Sequence, residues 1–204
     1  MENYYLYVLM SVLLILLPGP DMGLLTQNTI TNGRKGGYKT VSGILLALVL
    51  HILAAIFGLS AVIVNSATLF AVLKYIGAIY LIYLGIVSLY SIRKRPTSKV
   101  QIKNNRNHSP LLQGLLTNLL NPKVAIFFLT FLPQFVSPDN TSFVPFLIMG
   151  VTYLLLTAIW FLTYVTLLSN ISQWLQRPTV QNAISGISGI ALLGFGIKLA
   201  LERK

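Results

Sequence analysis

Charged side chains are scarce in this 204-residue sequence. Only 9% of the residues are charged and 55% are hydrophobic, and the mean hydropathy is +0.75. A soluble domain of ordinary composition has about 25% charged residues. So few charges cannot give a folded chain of this length a solvated surface. The scarcity therefore excludes an ordinary soluble domain and predicts an all-α polytopic membrane protein.

Cysteine is absent, and acidic residues are few. The lack of cysteine excludes disulfides, thiol nucleophiles and cysteine-based metal sites. Four acidic residues stand against 15 Lys and Arg, which gives a formal net charge of +11. In a soluble protein this excess would suggest nucleic acid, but basic loops of membrane proteins mainly set their orientation. We therefore expect no nucleic-acid partner.

The apolar segments also lack the side chains that catalysis inside a membrane requires. They contain one acid, Asp21, one histidine, His51, and no cysteine. Paired acids, metal ligands or an activated nucleophile are therefore missing. We predict a protein that is not an enzyme and that has no metal and no cofactor.

Six apolar segments are long enough to cross a bilayer, which takes about 20 residues per helix. A polar stretch between the third and fourth segments divides the chain into residues 1–90, a basic cytoplasmic linker at 91–110, and residues 111–204. The sequence thus predicts six transmembrane helices as two three-helix repeats. The predicted spans are residues 4–26, 41–64, 69–91, 111–136, 143–168 and 184–201.

The positive charges predict the orientation of these helices. The loops after the first, third and fifth segments carry ten basic residues and no acid, so the positive-inside rule places them in the cytoplasm and both termini outside. An alternative has five full spans and a re-entrant first segment, and it keeps the same loops in the cytoplasm. The linker can also rest on anionic membrane lipids. The ten residues are Arg34, Lys35, Lys39, Arg93, Lys94, Arg95, Lys99, Lys103, Arg106 and Arg177.

Two patterns recur in the two halves of the chain. The motif LLPGPD at residues 16–21 resembles LLNPK at 119–123, and the charges that end them lie 102 positions apart. A pattern of two glycines spaced by seven residues also recurs. Because each half has an odd number of spans, the repeats would be inverted relative to each other. The glycine pairs are Gly77 with Gly85 and Gly186 with Gly194.

Pro18, Pro20 and Pro122 are predicted to break the first helix of each repeat, because proline removes a backbone donor. Matched breaks in two repeats point to the binding centre of a transporter. Asp21 and Lys123 follow these breaks near mid-membrane, where a charge costs at least about 2.5–3.5 kcal/mol. They could form a structural salt bridge, or Lys123 could extend to the membrane interface. We favour a shared cavity that binds a zwitterion.

In this cavity each group has a predicted role. The free helix N-terminus after each proline would attract a carboxylate together with Lys123, and Asp21 would bind the ammonium group or a proton. Asn118 and Asn121 would add hydrogen bonds. The predicted substrate-binding residues are Gly19, Pro20, Asp21, Asn118, Asn121, Lys123 and Gln134.

His51 is the second buried titratable residue of the first half. It follows Gly43 and Ala47 at intervals of four residues, on a face of small residues that suits close helix packing. It could relay protons together with Asp21, or a neighbouring backbone group or hydroxyl could satisfy it. Four side chains of the fifth segment could line the cavity or only bond between helices: Tyr153, Thr157, Trp160 and Tyr164.

At these motifs the sequence resembles the lysine exporter and threonine/homoserine exporter (LysE/RhtB) superfamily of bacterial amino-acid efflux proteins. The resemblance rests on PGPD at 18–21, NGRKGGYKTVSG at 32–43, LKYIGAIYLIYLG at 73–85 and LTNLLNPKVAIFFLTFLPQF at 116–135. This chain has Ala47 where many members have glycine. It has Thr157 about where some members have an acid.

The resemblance implies a multi-pass protein of the bacterial plasma membrane that exports amino acids. The PGPD form implies neutral substrates such as threonine, homoserine or leucine, exchanged for protons. A passive channel or an assembly subunit of a membrane complex is the alternative. The sequence also allows a homo-oligomer.

Overall fold

The computed structural model describes residues 3–59, 67–93, 109–136, 142–168 and 177–201, and every regular element in these ranges is a helix. The all-α prediction is therefore confirmed for them. Most of the predicted linker at 91–110, with its basic run, lies outside the described residues. The helices are α1 (Tyr4–Leu16), α2 (Pro20–Ala54), α3 (Ala67–Arg93), α4 (Pro110–Leu119), α5 (Pro122–Ile126), α6 (Val144–Thr166) and α7 (Pro178–Leu201).

Two helices continue in other helical forms. A π-helical turn, Ala55–Leu59, extends α2, and a π-helical turn, Phe127–Phe131, followed by a 3-10 turn, Leu132–Phe135, extends α5. A π-helical turn marks a local departure from α-helical hydrogen bonding. The predicted fourth span, residues 111–136, is thus a chain of short helical pieces.

Helix α2 reverses direction at Gly33. This glycine has φ 65° and ψ −175°, a conformation that side-chain-bearing residues rarely adopt. The Asn28 side chain donates to Thr40 Oγ1 at 3.0 Å, although twelve residues of straight helix would separate the two by about 18 Å. The predicted spans 4–26 and 41–64 leave residues 27–40 outside the helices, whereas in the structure helix continues up to Gly33 from both sides. We call residues 20–32 the first arm and residues 34–54 the second arm.

Proline starts the helix after each break. Pro20 and Pro122 occupy the first turn of α2 and α5, where the missing N–H removes no helical hydrogen bond. Helix α1 ends at Leu16, and α4 ends at Leu119. The segment from α4 to Phe135 is bent by 49° at its break. Both predicted proline breaks are present.

Glycines mark the closest helix contacts. The second arm crosses α4 so tightly that a Cβ on Gly43 would fall on the Leu111 carbonyl oxygen, and a Cβ on Gly114 would fall on that of Thr40. Helix α3 crosses α7 where a Cβ on Gly85 would lie 2.9 Å from the Gly189 carbonyl oxygen. Such approaches are open only to glycine.

The two glycines of α7 that match Gly77 and Gly85 in sequence do not lie at its closest contacts. A Cβ on Gly194 would meet nothing within 4 Å, and one on Gly186 would come only within 3.5 Å of Ile92. The close contacts of α7 are instead at Gly189 and Gly196. The rotation of a helix about its own axis decides which of its glycines faces the neighbouring helix. A similarity between two sequence motifs does not specify that rotation.

The buried apolar side chains form two separate clusters. The larger, which we call the aromatic cluster, includes Tyr7, Phe127, Phe128, Phe131, Phe135 and Tyr153. The smaller, which we call the inner cluster, joins both arms of α2 to α6 and consists of Leu25, Val41, Ile44, Phe161, Tyr164 and Val165.

Several helices have the length and apolar character of membrane spans. Among the described residues these are Val144–Thr166, Pro178–Leu201 and the helix Pro20–Phe57, which the Gly33 turn divides into two arms. The bent pair from Pro110 to Phe135 makes a further one if it counts as one span. Large apolar side chains cover much of the outer surface, among them Leu46, Ile79, Tyr83, Ile159 and Ile190. Lipid is the solvent that suits this surface.

The glycine crossing between the second arm and α4 yields a prediction. We expect Gly43→Ala to destabilise the protein by about 1–3 kcal/mol, because its methyl group would collide with backbone that cannot move aside. Gly194→Ala is the matched control, since its methyl group enters open space and alanine favours helix. Thermal unfolding in detergent measures both. Equal unfolding temperatures for the two variants would contradict the crossing.

Candidate functional site

A cavity lies where the two helix breaks meet. Helix α1, both arms of α2, the α4–α5 break and α6 all contribute to its wall, and members of both apolar clusters line it. Its lining residues are Ile15, Leu17, Gly19, Asp21, Met22, Leu48, Asn118, Lys123, Val124, Tyr153, Thr157 and Phe161. Within the described ranges no three metal-ligating side chains come together.

Asp21 is anchored through one carboxylate oxygen only. It lies in the first turn of α2 and is 6% exposed. Its Oδ2 accepts hydrogen bonds from Asn118 Nδ2 at 2.9 Å and from Asn121 Nδ2 at 3.0 Å. Its Oδ1 is buried without a hydrogen-bond partner. Hydrogen bonds to a carboxylate are strong, so the two amides fix the group while the second oxygen stays free.

Lys123 binds the end of α1. Its ammonium donates to the carbonyl oxygens of Leu14 at 3.1 Å and Leu17 at 3.2 Å. The last carbonyls of a helix lack partners within it and form its negative end. Three N–H groups are available on a lysine, and these two contacts leave one. The ammonium thus satisfies two carbonyl groups at the first helix break and still has one N–H donor available.

The salt-bridge explanation of the two charges is wrong. No nitrogen–oxygen distance between Lys123 and Asp21 is within the 4.0 Å of an ion pair. Each charge instead contacts polar groups at the break of the other half: Asp21 contacts Asn118 and Asn121, and Lys123 contacts Leu14 and Leu17. In both cases the two partners are three residues apart. The contacts are therefore reciprocal between the halves.

Asn121 and Gly19 shape the two breaks. Asn121 caps α5, since its Oδ1 accepts from the Lys123 backbone N–H at 3.1 Å while its amide holds Asp21. Gly19 precedes Pro20 in extended backbone that any residue adopts. Its role is spatial, because a Cβ there would lie 3.3 Å from Lys123 Nζ. The predicted residues Gly19, Pro20, Asp21, Asn118, Asn121 and Lys123 therefore lie together.

The remaining wall is mostly apolar, with two further polar atoms. Asn118 Oδ1 and Thr157 Oγ1 are buried without a hydrogen-bond partner, and both side chains line the cavity together with Asp21. A buried polar atom without a partner costs about 1–3 kcal/mol. Three such atoms around one cavity suit a ligand with several donors.

His51 lies behind the cavity wall. Its Nε2 is 3.3 Å from the Asn118 carbonyl oxygen, and its ring stacks on Phe128 with the centroids 5.8 Å apart. A backbone partner is one of the two alternatives that the sequence left open for it. His51 thus contacts the backbone of Asn118, the residue whose side chain holds Asp21.

Three other predicted candidates lie away from the cavity lining. Gln134 donates to the Thr130 carbonyl oxygen at 3.2 Å, and Tyr164 forms a hydroxyl–hydroxyl bond of 2.7 Å with Thr26. Trp160 does not line the cavity either. Tyr153 and Thr157, from the same helix as Trp160 and Tyr164, do line it. Of these four side chains of α6, only Tyr153 and Thr157 therefore face the cavity.

The sequence missed the carbonyl groups of Leu14 and Leu17 as partners of Lys123. Every residue has a backbone carbonyl, so the identity of a residue does not predict such a contact. The available signal was positional, because Leu17 is the last residue before PGP and the ends of broken helices leave carbonyls unpaired. Met22 and Phe161 were also missed, since apolar lining residues look like core residues.

Comparison with known proteins gives this chain a family. The model of the LysE type translocator family matches residues 12–203. An uncharacterized membrane protein of Bacillus subtilis, YrhP, is 33% identical over 99% of this chain and 100% of its own. The homoserine/homoserine lactone efflux protein of Salmonella typhimurium is 29% identical over 99% of this chain and 98% of its own. No solved structure gives a significant match.

The family match covers nearly the whole chain and includes both helix breaks and all the residues around the cavity. The apolar helices of the chain and its relatives, which are membrane proteins, show that it is a multi-pass membrane protein. The chain therefore belongs to the LysE-type translocator family of the bacterial membrane.

Proposed function

We propose that this protein exports neutral amino acids across the plasma membrane by binding them as zwitterions between the two helix breaks. The observation that carries the proposal is the free, buried Oδ1 of Asp21 in a cavity that also contains the Lys123 ammonium. A relative that covers almost the whole chain is a homoserine/homoserine lactone efflux protein, which supports an exporter of this substrate class.

The ammonium group of the substrate would bind on the Asp21 side. An ammonium has three N–H donors, and the cavity offers three unpartnered acceptors: Asp21 Oδ1, Asn118 Oδ1 and Thr157 Oγ1. The carboxylate supplies the opposite charge, while the amide and hydroxyl complete the coordination. Satisfying these three atoms would recover the free energy that their isolation costs.

The carboxylate of the substrate would bind on the Lys123 side. Lys123 has a third N–H donor beyond its two bonds to carbonyl oxygens, and its positive charge would attract the carboxylate. The start of α2 adds backbone N–H groups without helical partners and the positive end of the helix dipole. Gly19 supports this arrangement because any larger side chain would press on the ammonium.

The side chain of the substrate would face an apolar wall formed by Leu48, Met22, Val124 and Phe161. Asp21 is the only acid among the described residues, so a second positive charge on the substrate would find no partner there. Burial of an unpaired charge is costly. We therefore propose neutral substrates such as threonine, homoserine or leucine over dibasic ones.

We also propose six transmembrane helices arranged as two inverted repeats, residues 1–90 and 111–204, joined by the linker 91–110. The reciprocal contacts of Asp21 and Lys123 support this arrangement. A second pair of contacts supports it as well: α1 bonds to α6 through Tyr7 and the Met149 carbonyl at 2.7 Å, and α4 crosses the second arm at Gly114. Each broken helix thus packs on the second helix of the other repeat.

Proton coupling would belong to Asp21, with His51 as its positioned neighbour. A proton and a substrate ammonium would compete for the same Oδ1 of Asp21, which is the requirement for exchange. His51 touches the backbone of Asn118, whose amide holds Oδ2 of Asp21. Protonation of His51 would therefore act on the carboxylate through one intervening residue.

The anchoring of Asp21 yields a stability prediction. We expect Asn118→Ala to destabilise the protein by about 1.5–3 kcal/mol, because it removes a hydrogen bond to a buried charge. In an Asp21→Asn background the same substitution should cost much less. Thermal unfolding of the four proteins gives the coupling free energy. A cost of Asn118→Ala that is the same in both backgrounds would contradict the proposed anchoring.

Transport itself is tested in liposomes loaded with labelled threonine, homoserine, leucine or lysine. We expect efflux of at least one neutral amino acid, little efflux of lysine, and loss of efflux in Asp21→Asn, whose amide can bind neither a proton nor an ammonium as a carboxylate does. Asn32→Ala, an exposed asparagine on the same arm, is the control. Normal efflux by Asp21→Asn would make Asp21 structural, and the absence of any efflux by the wild type would remove the exporter proposal.

The same liposomes test proton coupling with His51→Phe, which keeps a ring on Phe128 but cannot be protonated. We expect an imposed pH gradient to accelerate wild-type efflux severalfold and to have a weaker effect on this variant, whose efflux without a gradient continues. Acceleration equal to that of the wild type would exclude a role for His51 in coupling. A wild-type efflux rate that does not change with the pH gradient would favour a passive channel.

A further inference from the structure

A polar cluster of two buried residues and one half-buried residue lies on the side of the cavity nearest the Gly33 turn. Asn28 donates from Nδ2 to Thr40 Oγ1 at 3.0 Å and to Gln113 Oε1 at 3.1 Å. Asn28 is 4% exposed, and Thr40 is fully buried. One amide group therefore joins the first arm, the second arm and α4. We call Asn28, Thr40 and Gln113 the Asn28 clasp.

The clasp shares its helix faces with the cavity. On the first arm Asp21, Leu25 and Asn28 follow one another at helical spacing on one face, and on the second arm Leu48, Ile44 and Thr40 do the same in reverse. At 1.5 Å per residue the clasp lies about 10 Å from the cavity along both arms.

The inner cluster fills the space between the cavity and the clasp. Leu25 and Ile44 lie between them on the two arms, and α6 adds Phe161, which also lines the cavity, followed by Tyr164 and Val165 toward the turn. These side chains are at most 5% exposed. A packed apolar layer of this kind excludes water. The cavity is therefore closed in the direction of the Gly33 turn.

We propose that the Asn28 clasp and the inner cluster are the gate that opens and closes the binding cavity toward the membrane face of the Gly33 turn. The gate serves the proposed transport function, on which this inference rests for the identity of the cargo. The side chains of the gate are compatible with both an open and a closed state. Uncharged side chains can exchange their mutual hydrogen bonds for bonds to water at little net cost.

The geometry also indicates how the gate would move. On this side of the cavity the clasp links the hairpin of α2 to α4, and α4 belongs to the other half of the chain. Separation of the two halves on this side would break both bonds of Asn28 and part the inner cluster. Water and cargo would then have a path lined by the amide and hydroxyl groups of the clasp.

The absence of cysteine from the chain allows a direct test. Met22→Cys places a single thiol in the cavity wall, and its rate of modification by a membrane-impermeant thiol reagent is measured from each side of oriented membrane vesicles. We expect Asn28→Ala to increase the rate about tenfold from the side of the Gly33 turn, as loss of buried hydrogen bonds favours the open state. The rate from the opposite side should not rise.

Matched controls separate the clasp from general loosening. Asn32→Ala, on an exposed part of the same arm, should leave the rate unchanged. Thr40→Val removes only the bonded hydroxyl and should act like Asn28→Ala, whereas Thr31→Val, at an exposed site, should not. These variants keep the test decisive if Asn28→Ala does not fold.

An unchanged rate in both clasp variants, or an equal rise from both sides, would overturn the gate. The measurement does not depend on transport. A substrate profile that contradicts the proposed cargo would therefore leave the gate supported, and an unchanged thiol rate would leave the proposed cargo untouched.

Discussion

The exchange of polar contacts between the two helix breaks is the interaction on which the rest of this structure depends. A broken helix inside a membrane leaves backbone groups that lipid cannot satisfy. Here Lys123 satisfies the carbonyls that end α1, and Asn121 caps α5 while its amide binds Asp21. Each break is stabilised by a residue from the other. Neither break is therefore stable without its partner half.

This mutual dependence places the charges of Asp21 and Lys123 next to one cavity. The amides that hold Asp21 occupy one of its oxygens, and the carbonyls that hold Lys123 leave one of its donors. In the proposed function the same charges would therefore both stabilise the fold and bind the zwitterion. A substrate carboxylate on Lys123 would compete with the end of α1 for the ammonium, so binding and movement of the broken helix would be linked. Such a link is what a carrier requires to alternate between two open states.

Much of the fold could be predicted from particular residues. Apolar segments predicted the helices, and Pro20 and Pro122 predicted their breaks, because proline restricts its own backbone. The contacts between helices could not be read in this way. The glycines of α7 that match the first half in sequence are Gly186 and Gly194, whereas the closest contacts of α7 are at Gly189 and Gly196.

The sequence by itself determined the solvent of this protein, the positions of the helix breaks and the two charges beside them. Composition determines a property of the whole chain, and proline restricts its own backbone, so the effect of neither depends on tertiary contacts. Only the tertiary structure decided that Lys123 binds the carbonyls of Leu14 and Leu17, that Asp21 keeps one oxygen free, and that Asn28 joins three helix faces. These contacts depend on how each helix is rotated about its axis, and groups about 100 residues apart in the chain meet only once every helix has packed.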